Sequence, residues 1–334
     1  MTNRIALVAF SASIAAVSVA GAPQDAVTFV ERRVVQARSE SGLLHNMIVT
    51  RPQGASERLP AILFVPWLNC DSLAIPESGL HGAQIILRYL IEQSGMVVGR
   101  IEKPGVGGSD GDCTRVDFET ELAGFRAGFD RLSADEWVAP GGLIVAAQSY
   151  SGGVLPLVAR GHPVRGYLVM SSWVRTWLER LLEFERRRMS ASNVPLDELA
   201  ERMRRYSELY GQYLNGHGSP AELIAVQPRL AAVWDGTETH QYGRILRFFQ
   251  QLQSLNLEAE WAKVQVPTLA MWGDEDLAMH RVDHERIVEL VSRNRPGAGQ
   301  LFIVKGGDHS LMAHGGVADD VIRAIAAWLK HVVT

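Results

Sequence analysis

Several things are scarce in this sequence. Charge of one sign is not in excess: 33 Lys and Arg stand against 37 Asp and Glu, a formal net charge of −4. A surface that neutralises a phosphate backbone needs clustered cations, so this balance argues against a nucleic-acid partner. The Arg-rich string "FERRRM" sits among Glu residues and reads as a solvated helix face. Cysteine is limited to Cys70 and Cys113. In an oxidising compartment such a pair is a candidate disulfide, the alternative being two buried thiols. Long apolar runs are missing apart from residues 5–20, which are short for a membrane span and rich in Ala and Ser. One Arg precedes that run, and small residues stand at Ser18, Ala20 and Ala22. Residues 1–22 therefore read as a secretory signal, with the cut placed after Ala20 because Pro23 obstructs one after Ala22. No Cys stands near the cut to take a lipid, so export without a stable membrane anchor is expected. There is no internal repeat and no low-complexity tract.

What is present is an alternation. The 334 residues suffice for one large α/β domain with an insertion, or for two small domains. "AVTFVERRVVQ" and "LLHNMIVTRP" alternate like half-buried strands joined by a turn. "LPAILFVP" is a continuous apolar run, as in a strand covered on both faces. Helical and strand-like segments then take turns: "HGAQIILRYLIEQ", "MVVGRIE", an amphipathic helix with Phe118, Leu122, Phe125, Phe129 and Leu132 on one face, "GLIVAAQ" and "VRGYLVMSS". "PTLAMWG", "DHERIVELVSR", "QLFIVKG" and "VADDVIRAIAAWLKHVV" complete the series. This order predicts an α/β fold, a mostly parallel, doubly wound sheet with an antiparallel edge and with its chemistry at the carboxyl ends of the strands. Between residues 172 and 260 the pattern is helical throughout, which predicts an all-helical cap inserted between a first core part (23–171) and a second (261–334). Trp173 and Trp177 open the cap on one helical face, and Tyr206, Tyr210 and Tyr213 follow in the next helix. Some of these aromatics are expected to pack and others to line an acyl or aromatic pocket, Trp67, Trp173 and Trp177 being the candidates for the pocket.

The stretch "VAAQSYSGGV" raises the question of a nucleophile. A serine hydroxyl reacts only when a base takes its proton. The sharp strand–turn–helix that presents such a serine needs small residues two places before and after it. Ser149, flanked by Ala147 and Ser151, meets this condition, and so does Ser151, flanked by Ser149 and Gly153. Strand length favours Ser149, because "LIVAA" ends at Gln148. Pro156 points mildly to Ser151, since that register brings proline nearer the helix start.

Two further turns supply partners. "MWGDEDLAM" follows a strand with a glycine and three acids, and "VKGGDHSLM" follows the next with two glycines and His309. His309 is placed to take the serine proton and return it to the leaving group, while an ionised carboxylate orients the imidazole. Asp276, three residues past the glycine, is the chosen acid; Asp274, Glu275 and Asp308 read as turn or surface residues. His280 and His284 share i, i+4 spacing, but no Cys or Glu completes a metal set, and "HRVDHER" reads as a solvated helix start. His217, His240 and His314 have no local constellation. No metal is expected. "PGVGGSDG" is not a phosphate cradle, for it lacks the Lys-Ser/Thr of a P-loop and does not fit G-x-G-x-x-G.

From about Val27 onward these ordered motifs resemble the α/β-hydrolase superfamily: "AQSYSGG" for the elbow, "RIEKPGVGGSDG" after the fourth strand, "VPTLAMWGDEDL" for the acid turn and "GGDHS" for the histidine turn. The resemblance implies an oxyanion hole made by the backbone N–H of Tyr150 and by one from the loop "VPWLNCDS". Leu68 is the expected second donor, with Trp67 the alternative, since relatives usually carry glycine where this chain has Trp67. In the family the loops that hold Cys70 and Cys113 cross one sheet edge side by side, which implies a disulfide between them. The resemblance further implies acyl transfer through an acyl-enzyme on a small-molecule acyl substrate, with no cofactor. Carboxylic esters come first; an aminopeptidase or amidase on the same triad is the alternative. A lyase or cyclase, or an inactive binding scaffold, remains open at this point.

Overall fold

Strands β1 (Val30–Arg38) and β2 (Leu44–Pro52) form an antiparallel hairpin in which Val34 faces Ile48. The computed structural model describes residues 25–334. The signal peptide expected over residues 1–22, with its cut after Ala20, lies outside the described residues. Beyond the hairpin come β3 (Ala61–Val65), α1 (Gly82–Gln93), β4 (Val97–Ile101), α2 (Phe118–Ser133), β5 (Leu143–Gln148), α3 (Tyr150–Val158) and β6 (Val164–Met170). An insertion follows, made of α4 (Trp177–Ala191), α5 (Leu196–Leu214), α6 (Pro220–Val226), a 3-10 turn (Pro228–Val233), β7 (His240–Gln241), β8 (Arg244–Ile245), α7 (Leu246–Gln253) and α8 (Leu257–Trp261). The chain closes with β9 (Thr268–Gly273), α9 (Arg281–Asn294), β10 (Gly299–Val304), the short β11 (Met312–Ala313) and β12 (Gly316–Val317), and α10 (Asp319–Val333).

Eight strands make one sheet in the order β1-β2-β4-β3-β5-β6-β9-β10. β1–β2 and β2–β4 pair antiparallel, and every pair from β4 to β10 is parallel. The architecture is therefore α/β, mostly parallel and doubly wound, as the alternation implies. Successive strand side chains divide between two cores: Leu63, Val65, Val145 and Ala147 meet α2, α3 and α9 on one face, whereas Ile62, Phe64, Ile144 and Ala146 meet α1 and α10 on the other. A charge is built into this interior. Arg100 of β4 has no exposed side-chain surface, and its guanidinium is met by Asp25 at 2.7 Å and by the Leu73 carbonyl at 3.0 Å.

The insertion departs from the sequence-based expectation in two ways. It is not all-helical, because β7 and β8 form a two-stranded ribbon with His240 opposite Ile245. Two-residue strands are too short to impose a period of two on the sequence, so the pattern does not reveal them. Nor do Trp173 and Trp177 share a helix face. Trp173 precedes α4, which Thr176 caps by accepting from the Glu179 N–H while Glu179 reaches back to the Thr176 N–H. The apolar side of the insertion (Trp177, Leu181, Tyr210, Tyr213, Phe248 and Phe249) joins the α2/α3 face in one continuous cluster.

Candidate active site

The turn from β5 to α3 brings Ser149 to a left-handed backbone conformation, φ 68° and ψ −138°. For a non-glycine residue this costs on the order of 1–3 kcal/mol and persists only where surroundings enforce it. They do so here. The Ser149 N–H donates to the Met170 carbonyl at 2.9 Å, and its carbonyl accepts from Ser172 Oγ at 2.8 Å. A Cβ on Gly152 would lie 2.6 Å from that same Oγ, and one on Gly153 2.4 Å from the Trp173 carbonyl oxygen. Both positions need glycine because the segment after β6 packs directly on the elbow. Pro156 falls inside α3, beyond its first turn, so the proline does not mark the helix start that the Ser151 register would have used.

Three side chains converge at the carboxyl edge of the sheet. His309 Nε2 lies 3.0 Å from Ser149 Oγ, and His309 Nδ1 lies 3.0 Å from Asp276 Oδ2. An ionised carboxylate only accepts, so Nδ1 carries the ring proton and Nε2 offers its lone pair to the serine hydroxyl. Asp276 is almost fully buried, and its other oxygen accepts from the Ala278 and Met279 N–H groups at 2.7 and 3.0 Å. Burial alone would raise this carboxyl; His309 and the Met279 N–H outweigh it and hold the group below its ordinary value. Gln148 Nε2 donates to the His309 carbonyl at 2.6 Å. Ser151 is elsewhere: it is fully buried, and its hydroxyl donates to the Pro66 carbonyl. The geometry thus places Ser149, not Ser151, against the imidazole.

The neighbouring acids hold turns. Asp274 accepts from Lys305 and from the Gly306 N–H, Asp308 accepts from the Ser310 and Met312 N–H groups, and Glu275 is exposed. The solvated reading of "HRVDHER" is corrected: Asp283 and His284 are buried, Asp283 paired with Arg175 at 3.0 Å. His284 accepts from the Ser172 N–H at 2.8 Å and lies 3.0 Å from the His280 carbonyl. Burial lowers its pKa, so this histidine is neutral and buttresses the elbow through Ser172. The solvated reading of "FERRRM" also fails in part, since Glu185 is buried against Arg188 and Arg187 donates to the Asp276 carbonyl at 2.6 Å. His217 and His314 are exposed and His240 is half-buried. Among the described residues no group of His, Cys, Asp or Glu is arranged to hold a metal ion.

The loop after β3 carries the candidate second oxyanion donor. Cys70 on this loop is bonded to Cys113, with Cα atoms 5.8 Å apart. Leu68 is half-buried; Trp67 is buried, edge-on to Phe64 and His81. Trp173 and Trp177 have no exposed surface. The Trp173 indole N–H donates to the Tyr150 carbonyl at 2.9 Å, and Trp177 stacks on Phe249. Both therefore pack as core and form no wall of an open pocket, which corrects the expectation for them. A cleft of about 340 Å³ beside Tyr167 and another of about 550 Å³ beside Trp234 are lined by other residues.

Sequence reasoning missed a buried charge cluster behind this loop. Lys103 Nζ donates to the Leu68 carbonyl at 2.8 Å, and Arg244 of the β7–β8 ribbon donates to the same oxygen at 3.2 Å. Glu121 of α2 lies between them, 2.6 Å from Arg244 and 3.7 Å from Lys103, and accepts from the Tyr150 hydroxyl. Lys103, Glu121 and Arg244 all have fully buried side chains. Burial pushes the Lys103 ammonium down to about 7 against the pull of Glu121. One sign was legible: Glu121 falls on the apolar face of α2, three residues after Phe118 and four before Phe125.

The sequence matches no family model and no curated protein. Solved structures do resemble the chain. The α/β hydrolase GrgF from Penicillium matches over 90% of this chain and 98% of its own, with 18% identity and a TM-score of 0.59. Est1E from Butyrivibrio proteoclasticus, solved with ferulic acid bound, covers 90% and 99%, with 16% identity and a TM-score of 0.58. An esterase of Pyrococcus furiosus covers 90% of each chain, with 11% identity and a TM-score of 0.57.

Proposed function

We propose that this chain, which has the α/β-hydrolase fold, is an exported serine hydrolase that cleaves carboxylic esters through an acyl-enzyme on Ser149. One observation carries the reading: the unbroken relay Ser149 Oγ–His309 Nε2 and His309 Nδ1–Asp276 Oδ2, each link 3.0 Å. A binding module has no need of all three groups in register.

The chemistry follows from the relay. His309 Nε2 takes the hydroxyl proton as Ser149 Oγ attacks the ester carbonyl carbon. The carbonyl oxygen becomes an oxyanion, and the N–H groups of Tyr150 and Leu68 are the proposed donors to it. Collapse of this intermediate breaks the bond to the alcohol, which leaves with the proton from His309. Water then attacks the acyl-enzyme, giving up a proton to the imidazole, and a second collapse releases the carboxylic acid and restores the serine. Asp276 keeps the imidazole in the productive tautomer and stabilises it while it is charged. The Cys70–Cys113 bond fits an oxidising compartment, and no helix among the described residues is long and apolar enough to cross a membrane.

A panel of p-nitrophenyl esters run beside aminoacyl-nitroanilides tests the substrate class. The proposal expects turnover of short-chain esters at least a hundredfold faster than of the anilides. Anilide cleavage with the esters inert makes the enzyme a peptidase, and inertness to both contradicts acyl transfer.

A further inference from the structure

Two carbonyls of the loop after β3, one on either side of Trp67, are held by buried side chains that the relay itself does not use. The Pro66 carbonyl accepts from Ser151, and the Leu68 carbonyl accepts from Lys103 and Arg244. The peptide between them, Trp67–Leu68, is the one that bears the Leu68 N–H. Two residues on, Cys70 is bonded to Cys113. The other candidate donor is tied to the same cluster, because the Tyr150 hydroxyl donates to Glu121, which also pairs with Arg244. Tyr150 and Leu68 are thus linked through Glu121 and the two cations, with Lys103 also lying over the Tyr150 ring at 5.3 Å.

We propose that Lys103, Arg244 and Ser151 are positioning residues that clamp the Pro66–Leu68 segment so that the Leu68 and Tyr150 N–H groups converge on one oxyanion. This rests on the acyl-enzyme reading above. Oxyanion donors act through preorganisation: a hole whose peptide can rotate must spend part of its stabilisation on reorganising during the reaction. Burying charge is costly, and apolar side chains fill such a space at least as stably, so packing alone does not account for a fully buried Lys–Glu–Arg set. Ser151, the serine that strand length disfavours as nucleophile, acquires a task of its own, since its hydroxyl holds the first of the two carbonyls. Arg244 comes from the β7–β8 ribbon of the insertion, so this part of the insertion is built into the oxyanion loop.

The test measures ester kinetics and the rate of fluorophosphonate labelling in Lys103→Met, Arg244→Met, Arg244→Lys and Ser151→Ala. The phosphonyl oxygen enters the same hole as the ester oxyanion, so labelling reads the hole without deacylation. The clamp predicts that kcat and the labelling rate fall together, tenfold or more in Lys103→Met and Arg244→Met and about three- to tenfold in Ser151→Ala, with KM within threefold and partial recovery in Arg244→Lys. Ser151→Ala removes one oxygen from a packed helix, so it reports even where a cation variant fails to fold. Folded variants that keep parental kcat and labelling overturn the clamp alone. The same holds for variants whose loss lies wholly in KM. A parent chain that does not label at all overturns the acyl-enzyme reading and the clamp with it.

Discussion

Gln148 donates from its amide nitrogen to the His309 carbonyl at 2.6 Å, so the residue that ends β5 also holds the turn that carries the imidazole. The nucleophile and the base are thereby tied at the backbone level as well as through Ser149 Oγ. Gln148→Ala should cost little stability, of the order of one hydrogen bond or about 1 kcal/mol. Its kinetic effect should be larger. A misplacement of about 1 Å at a reacting centre can cost on the order of 100-fold, so a kcat loss of about 10- to 100-fold with KM nearly unchanged is expected. Steady-state kinetics together with a melting curve separate the two effects.

Asp276→Asn should lower kcat by about 10³- to 10⁴-fold, because an amide can present its N–H₂ to Nδ1 and favour the wrong tautomer. The same substitution has a pH signature. The folded carboxyl lies below its ordinary value of 3.8, so it contributes stability that is present above the unfolded value and lost as pH falls through the folded one. The stability gap between the parent chain and Asp276→Asn should therefore narrow from pH 6 to pH 2.5. Urea unfolding at several pH values measures it, and a gap that widens on acidification contradicts the assignment.

Gly153→Ala should be strongly destabilising, by about 2–4 kcal/mol or enough to prevent folding, because its Cβ would meet a backbone oxygen that has no room to move. Gly211→Ala is the matched control. It lies in α5 with nothing within 4 Å of the added carbon, so it should gain about 0.5–1 kcal/mol from helix propensity. Thermal melts of both variants check the pair.

Reduction of Cys70–Cys113, or its replacement by two serines, should cost about 2–4 kcal/mol, the usual worth of a disulfide. The bridge spans a sequence separation of 43. Because Cys70 lies two residues beyond Leu68, ester turnover should also fall before global unfolding. A parallel loss of activity and of folded protein would make the bond purely structural.

The sheet and the order of the three site residues were legible because each rests on local signals. Fully covered strands such as β3, β5 and β9 are apolar at nearly every position, and Ser149, Asp276 and His309 each stand just past a strand end with glycine nearby. The choice between Ser149 and Ser151 was harder, since both have small flanking residues, and the positive φ that separates them is a property of the folded turn. What escaped the sequence depends on contacts between distant segments. Asp283 is buried because Arg175, 108 residues earlier, reaches it, and Lys103, Glu121 and Arg244 come from a loop, a core helix and a ribbon of two-residue strands. Nothing in the spacing of such residues announces that they meet.

The central claim is that Ser149 is the reacting alcohol, and mass-spectrometric mapping of a fluorophosphonate adduct on the intact protein addresses it most directly. The account predicts a single phosphonylated peptide, with the modification on Ser149 and none in Ser149→Ala. An adduct on Ser151, or an unmodified protein after prolonged exposure to the probe, would contradict it.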